Sequence, residues 1–445
     1  MTRHAPHATD HSDSFRHLTR RQFMGRSLAA GAALTLAGTA LGRVSLAQEQ
    51  ISGTVTFWRL SGAGFQGDVF DAAAKRLEAK YPDVKVDTQQ LQNDAFKTKL
   101  QVAMGSDSPP DVWHTWGGGV LAEYVHAGAV LDLTDELAKN GWKDTFSPAV
   151  LDLMAVDGKY YGVPIDASGV FFWYNKDIFS ENNITPPETW DALLGVIETL
   201  KGKGMAPIAL ANKTKWPGAF YLNYLVDRVA GSDYLAQVVA GKASFNDPRF
   251  IEAGKRLQEL VQAGAFPKGF NGLDWDTGGS RQLLYAKKSA MELMGSWLPS
   301  TAAGEMKGFD EKLDFFPVPP TPDGKGDPTS IVGGTGTAYA VSEKSKSPAA
   351  AVELLRYLTD TTTRDALAKG GDVPAEKGAT ITDPRMQKVA GALEKAAHLQ
   401  LYWDQFLPPD LGQAQLDVTQ GLLSMDMTPE QAAQKMDDVA KKASS

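Results

Sequence analysis

The sequence contains no cysteine. This absence excludes a disulfide framework, a thiolate metal site and a cysteine that could carry an N-terminal lipid. Histidine is scarce as well: beyond residue 47 only His114, His126 and His398 occur, with no H-E-x-x-H motif and no local histidine pair. A zinc site is therefore not expected. G-x-S-x-G and Walker signatures are also missing. The sequence predicts no metal site and no catalytic residue.

An excess of positive charge is missing too. The chain has 45 Lys and Arg against 53 Asp and Glu, a formal net charge of −8, and its first 47 residues are more basic than acidic. The remainder is therefore more negative still. A surface of this sign argues against nucleic acid and anionic membrane as partners.

The N-terminus has the features of an export signal. Paired arginines, Arg20 and Arg21, precede a mildly apolar run over 27–41 that is too short for a permanent anchor, which needs about 20 apolar residues. Small residues end this segment at Ala47. We predict a twin-arginine signal over residues 1–47, cleaved after Ala47, and a periplasmic or extracellular location for the rest.

The remaining chain alternates short apolar runs with helical patterns, which is typical of an α/β fold. Strands are predicted at TVTFW, VKVDTQQL, DVWHTW, YYGVPI, GVFFWYN, APIALAN, SAMELMG and TAYAVS. Helices are predicted at DAAAKRLEAKY, DAFKTKLQVAM, TWDALLGVIETLKGKG, DPRFIEAGKRLQELVQAG, SPAAAVELLRYLTD and through the last part of the chain from DPRMQKVAGALEKAA. Thr189 can cap one helix, and the Pro- and Gly-rich residues 315–330 predict a loop.

One glycine motif raises the question of a nucleotide cofactor. Gly62, Gly64 and Gly67 spell G-x-G-x-x-G after a predicted strand, and Asp87 follows 20 residues beyond the last glycine. In a dinucleotide fold the preceding strand is continuously apolar, whereas polar residues interrupt TVTFWRLS. We therefore expect a ligand-contacting loop rather than a phosphate cradle, and no cofactor.

Tryptophan is the unusual feature that is present. All ten tryptophans follow residue 47. Five stand beside glycine, proline or polar residues at element ends: Trp116, Trp216, Trp275, Trp297 and Trp403. The pyranose ring of a sugar has an apolar face that can cover an indole, so these five predict a saccharide site. The others lie within strand or helix patterns and are assigned to packing: Trp58, Trp113, Trp142, Trp173 and Trp190.

Several segments together resemble a known family. They include PDVWHTWGGGVLAEYVHAGAVLDLTD, DGKYYGVPIDASGVFFWYNKDIF, FNGLDWDTGGSRQLLYAKKSAMELMGSW, GGTGTAYAVS and GGDVPA. In order and spacing they resemble the extracellular solute-binding proteins of ABC sugar importers, the maltose-binding-protein-like family. The resemblance implies a periplasmic-binding-protein-like fold of two α/β lobes joined by a hinge with a ligand cleft between them. It places lobe 1 at 48–163 plus 317–373 and lobe 2 at 164–316 plus 374–445.

The resemblance also implies a ligand site. The family's usual positions fall at Ser61, Trp116, Asp166, Trp216, Trp297, Gly334, Thr335, Asp372 and Trp403, to which the tryptophan pattern adds Trp275. The implied function is a non-enzymatic, monomeric receptor that captures a mono- or oligosaccharide and delivers it to the membrane permease of an ABC transporter. Two alternatives stay open at this point, an exported NAD(P)-dependent oxidoreductase and a secreted glycosidase with two catalytic carboxylates.

Overall fold

The structure is a computed structural model that describes residues 51–61 and 65–443. The predicted export signal over residues 1–47, its cleavage point, and Gly62 and Gly64 of the glycine motif lie outside the described residues.

Thirteen strands occur in the described part of the chain. They are β1 Gly53–Leu60, β2 Val84–Leu91, β3 Val112–Thr115, β4 Ala155–Val156, β5 Lys159–Tyr160, β6 Val163–Pro164, β7 Ser168–Asn175, β8 Ala206–Ala209, β9 Ser289–Gly295, β10 Leu313–Phe316, β11 Ile331–Gly334, β12 Ala338–Val341 and β13 Leu399–Gln400. Every predicted strand segment overlaps one or two of these strands, whereas β4, β10, β11 and β13 were not predicted.

Eighteen α-helices lie within the same described residues. They are α1 Phe65–Lys80, α2 Asn93–Met104, α3 Gly118–His126, α4 Thr134–Ala138, α5 Pro148–Leu151, α6 Lys176–Glu181, α7 Trp190–Gly202, α8 Trp216–Ala230, α9 Asp233–Val239, α10 Pro248–Ala263, α11 Arg281–Tyr285, α12 Leu298–Glu305, α13 Pro348–Leu358, α14 Thr361–Gly370, α15 Pro384–Lys395, α16 Trp403–Phe406, α17 Pro409–Leu423 and α18 Pro429–Ala443. The predicted cap is confirmed, because the Thr189 hydroxyl accepts a hydrogen bond from the Ala192 amide.

Two large sheets organise the described elements, and β4 and β5 form a small antiparallel sheet of their own. The first has the order β2-β1-β3-β12-β6, with β1 parallel to β2 and β3, and β12 antiparallel to its neighbours. The second has the order β13-β11-β7-β9-β8, with β8 parallel to β9 and β10 paired to β7. We call the first sheet with its helices lobe 1, and the second sheet with its helices lobe 2.

Burial explains why the strands of lobe 2 read as continuous apolar runs. Every residue of β9, including Glu292, is buried, as are seven of the eight residues of β7. A strand covered on both faces needs apolar side chains on both, so its sequence does not alternate. Strand β1 of lobe 1, in contrast, alternates from Val55 onward between buried and partly exposed residues.

The lobes are joined by chain segments that meet around Asp166. The Ile165 amide donates to the Thr337 carbonyl (2.8 Å) and the Ala167 amide to the Val373 carbonyl (2.7 Å). Asp166 itself forms a bridge with Pro374. These bonds link the segment between β6 and β7, the segment between β11 and β12, and the chain that follows α14.

One strand departs from the predicted division into lobes. The sequence placed 317–373 in lobe 1, but β11 pairs with β7 and β13 in the second sheet, and the chain rejoins the first sheet only at β12. The short run IVGG was missed because glycine is unfavourable in strands and the preceding residues are rich in proline. The other predicted boundaries stay predictions.

Candidate functional site

A cavity of about 360 Å³ lies between the two lobes. In lobe 1 it is lined by residues that follow strands β1, β2 and β3, such as Ser61, Asn93 and Trp116. In lobe 2 it is lined by Trp216, beyond the end of β8, and by Trp297, beyond the end of β9. Open α/β sheets bind ligands at the carboxyl ends of their parallel strands, and the cavity has the size of a small-molecule site.

Six of the ten predicted ligand residues line this cavity. They are Ser61, Trp116, Asp166, Trp216, Trp275 and Trp297. The sequence separates them by up to 236 positions, yet the fold brings them to one place. Whether each contacts a ligand stays a prediction, but their convergence agrees with the reasoning from loop tryptophans.

Five aromatic residues of lobe 2 form a continuous surface, which we call the aromatic floor: Trp216, Phe220, Trp275, Trp297 and Tyr402. Trp216 lies 5.2 Å from Trp275 between ring centroids, at an interplanar angle of 69°. Trp297 lies 6.5 Å from Trp216 and 6.3 Å from Tyr402. These edge-to-face and tilted contacts fix each ring and leave an apolar surface suited to the face of a cyclic ligand.

Lobe 1 contributes one indole and a contact that reaches across the cavity. The Lys97 ammonium lies 5.0 Å from the Trp116 ring and 3.0 Å from a carboxylate oxygen of Asp404 in lobe 2. The Gln405 side-chain amide donates to the same carboxylate (2.7 Å). An ion pair between the lobes shows that they are closely apposed, and it stabilises this arrangement.

The cavity lining contains a second ion pair, between Arg281 and Glu305. The Arg281 guanidinium makes two bonds to Glu305, at 2.6 and 3.0 Å, and donates to the Trp275 carbonyl at 2.7 Å. It also lies 4.2 Å from the Trp275 ring. Because Arg281 is almost fully buried, these contacts hold both Trp275 and Glu305 at the cavity in fixed positions.

His114 is a neutral group in the cavity wall. Burial lowers its pKa to about 3, and the positive charge of Lys97 acts in the same direction. Its Nε2 has no hydrogen-bond partner within the described residues, and the same holds for the Trp216 indole Nε1. A ligand that offers hydroxyl groups could satisfy both, since a hydroxyl donates and accepts.

Asp276 is a carboxyl group at the cavity with an altered proton affinity. Burial raises its pKa to about 6, the negative charges of Asp94 and Asp274 add to the shift, and Arg281 opposes it. Asp94 belongs to lobe 1 and Asp276 to lobe 2. Two like charges therefore approach each other when the lobes are together.

Asp166 has a structural task as well as a place in the cavity wall. Its Oδ1 accepts hydrogen bonds from the Gly336 amide (2.6 Å), the Thr337 amide (3.1 Å) and the Thr335 hydroxyl (3.1 Å). Burial raises its pKa to about 6, although these bonds oppose the shift. The hinge segments therefore use much of the hydrogen-bonding capacity of this carboxylate, which leaves less of it for the predicted contact with a ligand.

The other four predicted residues do not line the cavity. Gly334 packs against Leu401, and Thr335 is fully buried with its hydroxyl bonded within the hinge. Asp372 accepts a hydrogen bond from the Gln66 amide (2.7 Å), and it is Gln66 that reaches the cavity.

Trp403 requires a correction. It is only 1% exposed, and its ring packs 6.1 Å from Phe245 in the core of lobe 2. The predicted stacking role does not fit this position, because helix α16 begins at Trp403 and turns the indole inward. Its neighbours Tyr402 and Asp404 line the cavity instead. The packing roles predicted for Trp113, Trp142, Trp173 and Trp190 are confirmed.

Sequence reasoning missed most of the polar lining. The missed residues include Gln66, Asn93, Lys97, His114, Asp276, Arg281, Glu305, Tyr402 and Asp404. Some had a usable signal, because Gln66 and Asn93 open the helices that follow β1 and β2, where α/β sheets bind ligands. Arg281 and Glu305 had no such signal, because nothing in the sequence around them indicates that they pair beside a cavity.

Of the three motif glycines only Gly67 lies within the described residues, and it lines the cavity. Gly67 lies in the first turn of α1, and a Cβ there would lie 3.1 Å from the Arg59 guanidinium, which is paired with Asp71 at 2.8 Å. Within the part of the chain that the structure describes, no group of acidic or histidine side chains is arranged to hold a metal ion. Across residues 51–61 and 65–443, no helix has both the length and the apolar character to cross a membrane.

Two solved structures are similar to the whole described chain. One, from work on xylan utilization by Caldanaerobius polysaccharolyticus, has a TM-score of 0.81 and 31% identity, and the match covers 86% of this chain and 99% of the other. The other is a chitin oligosaccharide binding protein with a TM-score of 0.79 and 27% identity, over 87% and 98% of the two chains.

Sequence comparison agrees with the structural match. An uncharacterized ABC transporter extracellular-binding protein of Pyrococcus horikoshii is 30% identical over 264 residues, which are 58% of this chain and 58% of that protein. The match thus spans less than two thirds of that relative. The family model for bacterial extracellular solute-binding proteins matches residues 62–364. With its two-lobed α/β fold and the cavity between the lobes, the chain belongs to the family of bacterial extracellular solute-binding proteins.

Proposed function

We propose that the protein is an extracytoplasmic receptor that binds a neutral mono- or oligosaccharide between its lobes and delivers it to an ABC transporter permease. The observation that carries the proposal is the aromatic floor, which faces Trp116 across a cavity with hydrogen-bonding groups at its walls. Each indole face covered by a pyranose ring contributes roughly 1–2 kcal/mol by buried area, so several together support tight binding of an uncharged ligand.

The charges of the cavity favour a neutral ligand over an anionic one. Lys97 is paired with Asp404, and Arg281 with Glu305. Each cation is thus already neutralised by a carboxylate. An anionic ligand would have to break one of these pairs, whereas a sugar hydroxyl can bond to either partner without displacing it.

Both lobes supply part of the site, which supports a closing mechanism. A ligand that contacts Trp116 and the aromatic floor together favours the arrangement in which the lobes meet. By its greater affinity for that arrangement it shifts the population from open to closed. The closed form is then the one that a permease would recognise. One solved relative is a chitin oligosaccharide binding protein, which supports a saccharide as the ligand.

The proposal includes several features that follow from the sequence. We propose export by the twin-arginine route with cleavage after Ala47, a periplasmic or extracellular location, and a monomer with no cofactor. The protein changes no sugar chemically, in contrast to a glycosidase or an NAD(P)-dependent oxidoreductase. For the lobes we propose the predicted division, with the second boundary moved from 317 to the segment between β11 and β12.

The test is a thermal-shift screen of the chain from Gln48 against chito-, xylo-, malto- and galacto-oligosaccharides, each recovered afterwards for mass analysis. We expect at least one saccharide to raise the melting temperature and to be recovered with unchanged mass. If no saccharide changes the melting temperature, or if products accumulate at catalytic rates, the receptor proposal is wrong.

A further inference from the structure

Gly295, the last residue of β9, lies directly under the indole of Trp297. A Cβ on Gly295 would lie 2.1 Å from Cζ3, 2.2 Å from Cη2 and 2.4 Å from Cε3 of that indole. These separations are far below van der Waals contact. The six-membered part of the indole therefore rests flat against the main chain at the end of the strand, in space that any other residue at 295 would occupy.

The backbone does not require glycine at this position. Gly295 is paired with Val170 in a regular antiparallel register, and its φ is not in the left-handed region. An alanine would adopt this conformation without strain, as the six preceding residues of β9 do. What requires glycine is the position of the indole, not the course of the strand.

The indole has little room to move away from a Cβ. Its ring lies 6.5 Å from Phe220 and 6.5 Å from Trp216 between centroids, and 6.3 Å from Tyr402. Its main chain is fixed as well, because the Trp297 carbonyl accepts from the Thr301 amide and from the hydroxyls of Ser300 and Thr301. An indole displaced by a Cβ must therefore tilt into the cavity or disturb the aromatic floor.

We infer that Gly295 is a positioning residue for saccharide binding, because it holds the Trp297 indole flat with one face open to the cavity. The inference rests on the proposed function. Gly295 touches no ligand itself and acts through Trp297 alone. Its replacement should therefore weaken binding only while the indole is present.

The test is a double-mutant cycle with chitotetraose, xylotetraose and maltotetraose as probes, read with the probe that wild type binds most tightly. The variants are Gly295→Ala, Trp297→Ala and the two combined. We expect Gly295→Ala to raise the dissociation constant at least tenfold, and to change it less than twofold in the Trp297→Ala background. Gly254→Ala is the control, since its Cβ would meet Pro429 at 3.0 Å, in another part of lobe 2; we expect it to change affinity less than twofold.

The same cycle is read on the melting temperature without ligand, so that a poorly folded Gly295→Ala variant still gives an answer. We expect Gly295→Ala to lower the melting temperature, and the Trp297→Ala background to relieve most of that loss. Wild-type affinity in Gly295→Ala, or equal losses in both backgrounds, would overturn the inference. If wild type binds none of the three probes or the wider panel, the proposed function fails instead, and the melting cycle still reports whether Gly295 seats the indole.

Discussion

At the scale of single residues, Trp297 and Trp403 show why neighbours in sequence do not settle the role of a tryptophan. Both stand beside polar residues at the edge of an element. Trp297 is partly exposed and lines the cavity, whereas Trp403 is 1% exposed in the core of lobe 2. The difference lies in the direction of one side chain at the start of a helix, which no local pattern encodes.

Replacing Trp297 and replacing Trp403 should therefore have different effects. Trp297→Ala should weaken saccharide binding by roughly 2–4 kcal/mol, as for a buried anchor in an interface. Trp403→Ala should instead lower the free energy of unfolding by roughly 3–5 kcal/mol, as for a large side chain removed from a packed core. Calorimetric titration and ligand-free denaturation of both variants separate the two effects. A larger loss of folding stability in Trp297→Ala than in Trp403→Ala would contradict this assignment.

Asp372 predicts a dependence of stability on pH. Burial raises its pKa to about 8, and the charge of Asp166 adds to the shift, although the Gln66 amide opposes it. In the unfolded chain an aspartate titrates near pH 4. The folded state thus binds one more proton between about pH 4 and pH 8, so its stability falls as pH rises through this window.

Asp372→Asn should remove this loss of stability at high pH, and the asparagine amide oxygen can still accept the hydrogen bond from Gln66. We expect its gain in melting temperature over wild type to grow from pH 5 to pH 8 and then to level off. The control is Asp107→Asn, whose side chain is fully exposed and should leave the pH profile unchanged. Parallel profiles for wild type and Asp372→Asn would show that Asp372 is not protonated in the folded protein.

At the scale of elements, two glycines in helices make opposite predictions. Gly119 is in α3 of lobe 1, where a Cβ would lie 2.6 Å from the Phe406 carbonyl and 2.7 Å from the Leu407 carbonyl of lobe 2. Gly195 is in α7, where a Cβ would meet nothing within 4 Å. The first glycine permits two elements to touch, and the second only adds conformational freedom to the unfolded chain.

Gly119→Ala should therefore destabilise the protein by roughly 1–3 kcal/mol, because α3 and the end of α16 must separate. Gly195→Ala should stabilise it by roughly 0.4–1 kcal/mol, because alanine restricts the unfolded chain and favours the helix. Chemical denaturation of the two variants without ligand checks both signs. An equal gain in the free energy of unfolding in both variants would mean that α3 and α16 can separate without loss of stability.

Most of the described strands and half of the described helices could be predicted, because their sequence patterns are local. The apolar run of β9, the amphipathic pattern of α10 and the cap at Thr189 each specify their own structure. Strands β10 and β11 could not, because FFP and IVGG are short and flanked by proline or glycine. They become strands only through pairing with β7, which is a contact distant in sequence.

At the scale of the whole molecule, the sequence predicted the two-lobed fold through resemblance, and the loop tryptophans located the cavity. The pairing of Lys97 with Asp404 between the lobes could not be predicted, because it depends on how the lobes meet. The same holds for the network at Asp166, in which segments from three parts of the chain meet. Local sequence patterns thus identified the tryptophans of the site, whereas the ion pairs and hydrogen bonds of its polar residues depend on the assembled fold.

The central claim is that a saccharide binds between the lobes and contacts both. Calorimetric titration of wild type, Trp116→Ala and Trp216→Ala with the saccharide that gives the largest thermal shift tests it most directly. We expect one site per chain in wild type and a dissociation constant at least tenfold higher in each variant, because one indole belongs to lobe 1 and the other to lobe 2. Wild-type affinity in both variants, or no heat of binding for any saccharide in wild type, would contradict it.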